Sequence, residues 1–177
     1  MAAGTHLFID ESKARNYVMA AAAIAPSDVG AARAGLRALL MPGQRSLHFR
    51  NENDARRRKI LDTICDQGWS AVLVISTDSD QRAARDACLH ECVAMAARTK
   101  ASRMTIETDE SLVAHDRRLL FAASRSAEVV DGFEYRHMRR HEEAALWVPD
   151  ALGWGYTRGG AWRSRIAPVV SAVIELS

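Results

Sequence analysis

The sequence predicts an α/β fold: a central mixed sheet that begins with an antiparallel hairpin and is flanked by helices. Three observations carry this. Leu7-Phe8-Ile9 runs into a short polar turn and a second extended apolar run from Tyr17 to Ile24, which reads as a hairpin. Ala71-Val72-Leu73-Val74-Ile75-Ser76 is a continuous β-prone run of the kind that forms a strand buried on both faces. Around these strands lie segments with helical spacing and recognisable caps, so strands and helices alternate.

In chain order, a strand is expected at about His6 to Asp10, a turn through Glu11 to Asn16, and a strand at about Tyr17 to Ala25. Pro26 and Ser27 stop it, and Ser27 or Asp28 caps a helix to about Met41 with Val29, Leu36, Leu39 and Leu40 as its apolar stripe. Pro42-Gly43 ends that helix, and Ser46 to Arg50 is ambiguous. Asn53 caps a helix to about Asp66, with Ile60, Leu61, Ile64 and Cys65 inward and Arg56-Arg57-Arg58-Lys59 outward. After the strand at Ala71, Asp80 starts a helix to about Thr99. An alternating strand follows over Arg103 to Asp109, then a helix from Leu112 to Ser126, a strand from Phe133 to Met138 and a short helix from Glu142 to Gly153. A last helix is expected from about Trp162 to Leu176, with Pro168 tolerated only in its first turn. The aromatic-glycine segment Trp154 to Trp162 reads as a mobile loop that stacks on bases or packs against a second subunit.

At 177 residues the chain is expected to form one domain over 1–177 with a full core. A formal charge of +2 excludes a whole-molecule polycation, although Arg56 to Lys59 and Arg136 to Arg140 are basic clusters. Each reads either as a solvated face or as a contact for phosphates. Three cysteines without framework spacing indicate a reducing compartment. Cys88 and Cys92 share a helix face with no further ligand beside them, so they read as core, and His90 as surface. The alanine-rich run from Val18 to Ala25 has mixed charges upstream and is far below membrane-spanning length. A cytoplasmic protein with no targeting segment and no membrane association is expected.

The chemistry lies in the acids. Asp10 and Glu11 follow a buried apolar run, where an unpaired charge costs several kcal/mol unless something neutralises it, and a divalent cation is one such neutraliser. Glu107 and Asp109 lie at the end of another strand and share its parity; Glu107 is the better placed if the strand frays at Thr108. Asp150 stands in Leu146-Trp147-Val148-Pro149-Asp150-Ala151-Leu152-Gly153-Trp154, where it is either a first-turn helix acid or a ligand. Two-metal phosphoryl-transfer sites need several carboxylates from separate elements, and Mg²⁺ takes oxygen ligands. His48, between Leu47 and Phe49, is either a core histidine bonded to a carbonyl or a proton shuttle near the acids.

The opening strand with Asp10-Glu11-Ser12, its partner strand, Leu47-His48-Phe49, Glu107 and Trp147-Val148-Pro149-Asp150-Ala151 together resemble the prokaryotic domain-of-unknown-function 3800 proteins of the ribonuclease H-like superfamily. The resemblance covers nearly the whole chain and departs from the family at Pro149, where a small residue is usual. It implies a ribonuclease H-like fold and an acid cluster binding Mg²⁺ or Mn²⁺. Asp10, Glu107 and Asp150 would be the metal ligands, and Glu11 and His48 would assist in cleavage or transfer of phosphodiesters.

Two functional classes follow. One is a metal-dependent nuclease whose basic clusters line the nucleic-acid path. The other is a non-catalytic nucleic-acid or protein-interaction module, a homodimer among its forms, in which Arg15, Arg50 or Arg103 neutralises the acids. Nucleophilic hydrolysis through Ser12 and His48 is disfavoured because the turn after the first strand is not a Gly-flanked nucleophile elbow.

Overall fold

The computed structural model of the protein describes residues 4–13, 16–129 and 131–176. Its strands are β1 (His6–Lys13), β2 (Tyr17–Ile24), β3 (Ser70–Ser76), β4 (Arg103–Glu107), β5 (Glu134–Met138) and β6 (Val170–Leu176). They form one sheet in the order β5-β4-β1-β2-β3-β6. β1, β2 and β3 are antiparallel neighbours, while β4 runs parallel to β1, β5 to β4 and β6 to β3. The helices are α1 (Val29–Arg37), α2 (Asp54–Cys65), α3 (Gln81–Thr99), α4 (Val113–Ser126), α5 (Trp147–Arg158) and α6 (Gly160–Ile166). None of the described helices is long and apolar enough to cross a membrane. The mixed sheet, its opening hairpin and the flanking helices are as expected.

Strand parity divides the core. Phe8, Ala20, Ala22 and Leu73 pack with residues of α1, α2 and α5 on one face. Leu7, Ile9, Met19 and Val74 pack with α3 and α4 on the other. β2 is buried along its whole length because helices cover both its faces, which accounts for its unbroken apolar sequence. Its alanines also let α5 approach closely: a Cβ added at Gly153 would stand 3.4 Å from Ser12 Cβ and 3.9 Å from Ala20 Cβ.

The predicted caps hold for α2 and α3. Asn53 accepts a hydrogen bond from the Arg56 amide at 3.0 Å, and Asp80 from the amides of Arg82 at 2.8 Å and Ala83 at 3.3 Å. Cys88 and Cys92 are buried and His90 is exposed. Burial pushes the Cys88 thiol up to about 12, so it is an inert core group.

Four expectations need correction. The last helix ends at Ile166, and Val170 to Leu176 is the edge strand β6. Pro168 marks the break between them, and the β-branched Val170, Val173 and Ile174 favour the strand. The aromatic-glycine segment is no loop: α5 continues to Arg158 and turns at Gly159, whose φ of +73° suits glycine, into α6. Trp154 packs edge-on between Phe49 and Trp162, with ring centroids 5.2 and 5.3 Å away. The helix expected over Glu142 to Gly153 begins instead as a 3₁₀ turn at Ala144–Leu146 that leads into α5. α1 is shorter than expected, ending at Arg37.

The basic clusters are largely committed to the fold. Arg56 holds Glu52 and the Leu39 carbonyl; Arg57 holds the Phe49 and Arg50 carbonyls and lies 4.4 Å from the Trp154 ring centroid. Arg58 and Lys59 are exposed.

The close seat of α5 is directly testable. Gly153→Ala adds one methyl at ordinary contact distance and favours the helix, so its stability should stay within about 1 kcal/mol of wild type. Gly153→Val overpacks the α5–β1 contact and should lose about 1–3 kcal/mol in urea denaturation.

Candidate acid site at the β1–β4–α5 junction

Asp10 lies inside β1, which runs on to Lys13, rather than at its end. What ends here is β4: the parallel register pairs Ile9 with Ile106, so Asp10 and Glu107 are the next neighbours along. Both residues lie on the face covered by α5, because Leu7, Ile9, Met104 and Ile106 point to the opposite core. Asp150 comes from the first turn of α5. The first-turn reading of Asp150 therefore holds, and that position is what turns the side chain toward the strands.

The three acids are deeply set. Asp10 is 7% exposed, and its Oδ1 accepts from the Glu11 amide at 2.7 Å. Asp150 Oδ2 accepts from the Phe49 amide at 2.9 Å. Glu107 Oε1 accepts from Arg140 Nε at 2.7 Å, whereas Glu107 Oε2 is buried with no N–H or hydroxyl donor beside it, and the Glu107 carboxyl shares a hydrogen bond with that of Asp10. Burial, and then the charges of Glu107 and Asp150, hold the Asp10 carboxyl well above the usual carboxylate range. Burial, with the charges of Asp150 and Glu11, pushes Glu107 up to about 7, although its interaction with Asp10 works the other way. Burial also raises Asp150, against the Phe49 amide and the Arg140 charge. Among the described residues, one arginine, Arg140, forms ion pairs with this cluster of three acids.

Arg140 is the counter-ion that the sequence did not indicate. Its guanidinium pairs with Glu107, lies 3.6 Å from Asp150 Oδ2 and contacts His48 Nδ1. Of the arginines expected in that role, Arg103 binds Glu134, Arg50 has no ion-pair partner among the described residues, and Arg15 lies outside them. His48 sits just before a 3₁₀ turn at Phe49–Asn51, with Nδ1 3.6 Å from Asp150 Oδ2 and its side chain 41% exposed. It is neither buried nor bonded to a carbonyl. Asp109 is drawn aside by Ser111, whose hydroxyl donates to it at 2.6 Å, so Glu107 is the acid beside Asp10.

Glu11 points to the other face of the sheet. There it pairs with Arg85 and with Lys13 Nζ at 2.9 Å. Arg85 is 1% exposed and also binds Asp116 through Nε at 3.0 Å and Nη2 at 2.8 Å, and the Tyr17 hydroxyl at 3.1 Å. His137 Nε2 lies 2.9 Å from Asp116 Oδ2. Against the effect of burial, the bonds from His137 and Arg85 hold Asp116 down at about 2. Nothing in the sequence around Arg85 signalled this network.

Two clefts open on the junction. One, of about 500 Å³, is lined by Asp10, Glu107, Asp109 and Arg140; the other, of about 480 Å³, by Ser12, His48, Asp150, Trp154 and Arg158. They share Glu11, Lys13 and Arg50. Arg158, like Arg50, has no ion-pair partner among the described residues. The oxygen donors suit a hard cation such as Mg²⁺ or Mn²⁺, and Glu107 Oε2, without an N–H or hydroxyl donor, is the atom that such an ion would satisfy. Among the described residues, no three His, Cys, Asp or Glu side chains already stand as a closed ligand set, so binding requires them to draw together.

Two stability measurements follow. The folded value of Glu107, about 7, exceeds the usual 4.5, so its contribution is fully present below pH 4.5 and is lost as the pH rises through 7. In chelator, wild type should therefore lose up to about 3 kcal/mol from this group between pH 5 and 8, and Glu107→Gln should flatten that fall in urea denaturation. Arg85→Met removes the buried cation shared by Glu11 and Asp116, leaving them Lys13 and His137, and should cost about 3–5 kcal/mol at pH 7.

No family model matches the chain, and no curated protein matches it. Among solved structures, the chain is similar to RNase HII in the PCNA:RNase HII complex from Archaeoglobus fulgidus. The TM-score is 0.58 at 14% identity, over 87% of this chain and 73% of that one. At that identity the likeness is one of fold: the chain has a ribonuclease H-like fold.

Proposed function

We propose that the protein is a divalent-metal-dependent nuclease or related phosphodiester-processing enzyme, a single domain acting on nucleic acid in the cytoplasm. We also assign it to the domain-of-unknown-function 3800 group, on the motifs around Asp10, His48, Glu107 and Asp150. The observation that carries the functional reading is the convergence of Asp10, Glu107 and Asp150 from three separate elements, with one buried carboxylate oxygen given no N–H or hydroxyl donor.

Asp10, Glu107 and Asp150 would hold Mg²⁺ or Mn²⁺, which when bound supplies a Lewis acid and a water of lowered pKa. The Phe49 amide orients Asp150, and the Glu11 amide orients Asp10. Arg140 donates to His48 Nδ1, which leaves Nε2 of the neutral imidazole carrying the proton; that nitrogen can pass a proton to a leaving oxygen. Glu11, tied to Arg85 and Lys13, assists by adding negative potential beside Asp10. Arg50 and Arg158, free of ion pairs in the adjoining clefts, are placed to meet the phosphate backbone.

The test is cleavage of end-labelled RNA and DNA with Mn²⁺ present. Asp10→Asn, folded by circular dichroism, should lose at least about 100-fold in rate. Equal cleavage by the two proteins would sink the reading.

One observation favours a second reading, a non-catalytic nucleic-acid or protein-interaction module: Arg140 already supplies positive charge to the acids. That reading predicts no rise in melting temperature with Mg²⁺ or Mn²⁺, whereas the nuclease reading predicts a rise that Asp10→Asn removes.

A further inference from the structure

Arg140 brings its charge between two of the three acids. It lies in the turn after β5, and its backbone carbonyl accepts from Trp147 Nε1 at 2.8 Å, so its main chain is fixed against the start of α5. From there the side chain reaches between strand and helix. Nε and Nη2 hold Glu107 Oε1 at 2.7 and 2.5 Å, and Nη1 faces Asp150 Oδ2 at 3.6 Å and His48 Nδ1. No other described cation bridges two of the three acids. The contact to Asp150 is long and Glu107 Oε2 has no N–H donor beside it, so the guanidinium neutralises the acids only in part. Its side chain is 25% exposed on the cleft, which leaves it a way out.

We propose that Arg140 is a resident counter-cation of the acid site that a divalent ion must displace, so that metal loading replaces a single positive charge with a double one and releases the guanidinium into the cleft. This rests on the metal-site reading above. Without Arg140, the acids would face one another unshielded whenever the site lacks metal. With it, the ion competes against an intramolecular guanidinium, which weakens apparent affinity and frees a positive side chain beside the place where a phosphate would lie.

Mn²⁺ binding tests this, read by Trp fluorescence and by the electron-spin signal of free Mn²⁺ for wild type, Arg140→Gln and Arg140→Lys. Arg140→Gln should bind Mn²⁺ at least about 10-fold more tightly than wild type, and added guanidinium ion should reverse that gain. Arg140→Lys should stay nearer wild type. In wild-type protein, the Arg140 Nε–H resonance, assigned by its loss in Arg140→Lys, should lose its hydrogen-bonded shift at saturating Mg²⁺. Its persistence at saturation would overturn the proposal even if Arg140→Gln failed to fold. Equal or weaker Mn²⁺ binding by Arg140→Gln would overturn the displacement and leave the metal site standing. Absence of binding by all three proteins would overturn both.

Discussion

Three carboxylates held together inside a sheet–helix interface are the constraint on which this structure turns. Burial, and the negative charges of their neighbours, raise Asp10 and Glu107, and burial raises Asp150; Glu107 is pushed up to about 7. A shift of that size corresponds to about 3 kcal/mol. One fully buried Leu or Phe side chain returns about 1.5–3 kcal/mol, and Phe8, Phe49, Leu61, Leu152 and Trp147 are all buried on this side of the sheet. The core is therefore large enough to hold the acids in place, provided that α5 stays close. Its closeness depends on small residues, with Gly153 on Ser12 and Ala20, and on Trp154 locked between Phe49 and Trp162. Phe49 links the two requirements, because its ring packs on Trp154 while its amide holds Asp150.

The opposite face of the same sheet treats charge differently. There Arg85 is surrounded by Glu11, Asp116 and Tyr17, with His137 completing the set, and the charges find partners within the fold. Such a network, fully partnered, ties β1, β2, α3, α4 and β5 together and needs nothing from outside. Among the described residues, the α5 face pairs one arginine with the three acids and keeps a buried carboxylate oxygen without an N–H or hydroxyl donor. Adjacent residues in one strand thus have opposite fates. Asp10 belongs to an unfinished site and Glu11 to a finished one, because successive side chains leave a strand on opposite faces.

Local patterns made the three acids legible in the sequence. An apolar run into Asp10, an alternating strand into Glu107 and a charge inside an apolar helix around Asp150 are each visible within a few residues. The caps at Asn53 and Asp80 were legible for the same reason. What escaped depends on long-range pairing. β6 is specified by β3, about a hundred residues earlier in the chain, and its alanine and leucine suit a helix equally well. Arg140 and Arg85 look like any other arginine in a basic run or an exposed helix turn until the tertiary structure turns them inward. Arg103, a plausible counter-ion from its strand position, spends its charge on Glu134 across the β4–β5 pair.

The similarity of fold and the placement of the acids are separate observations. A parallel β1–β4 pair crossed by a helix fixes where three side chains converge, and that much follows from topology. Topology does not require those side chains to be carboxylates. Well-packed apolar residues at such positions are often neutral or stabilising relative to buried charges, by about 1–4 kcal/mol. The chain instead places acids at all three, leaves Glu107 Oε2 without an N–H or hydroxyl donor and, among the described residues, sets Arg140 alone in ion-pair reach of two of them. A purely structural role would be served better by the pattern seen around Arg85, where acids and their partners match. The mismatch at the β1–β4–α5 junction therefore sets that face of the sheet apart from the Arg85 face, and it is the feature on which the proposed cation site rests.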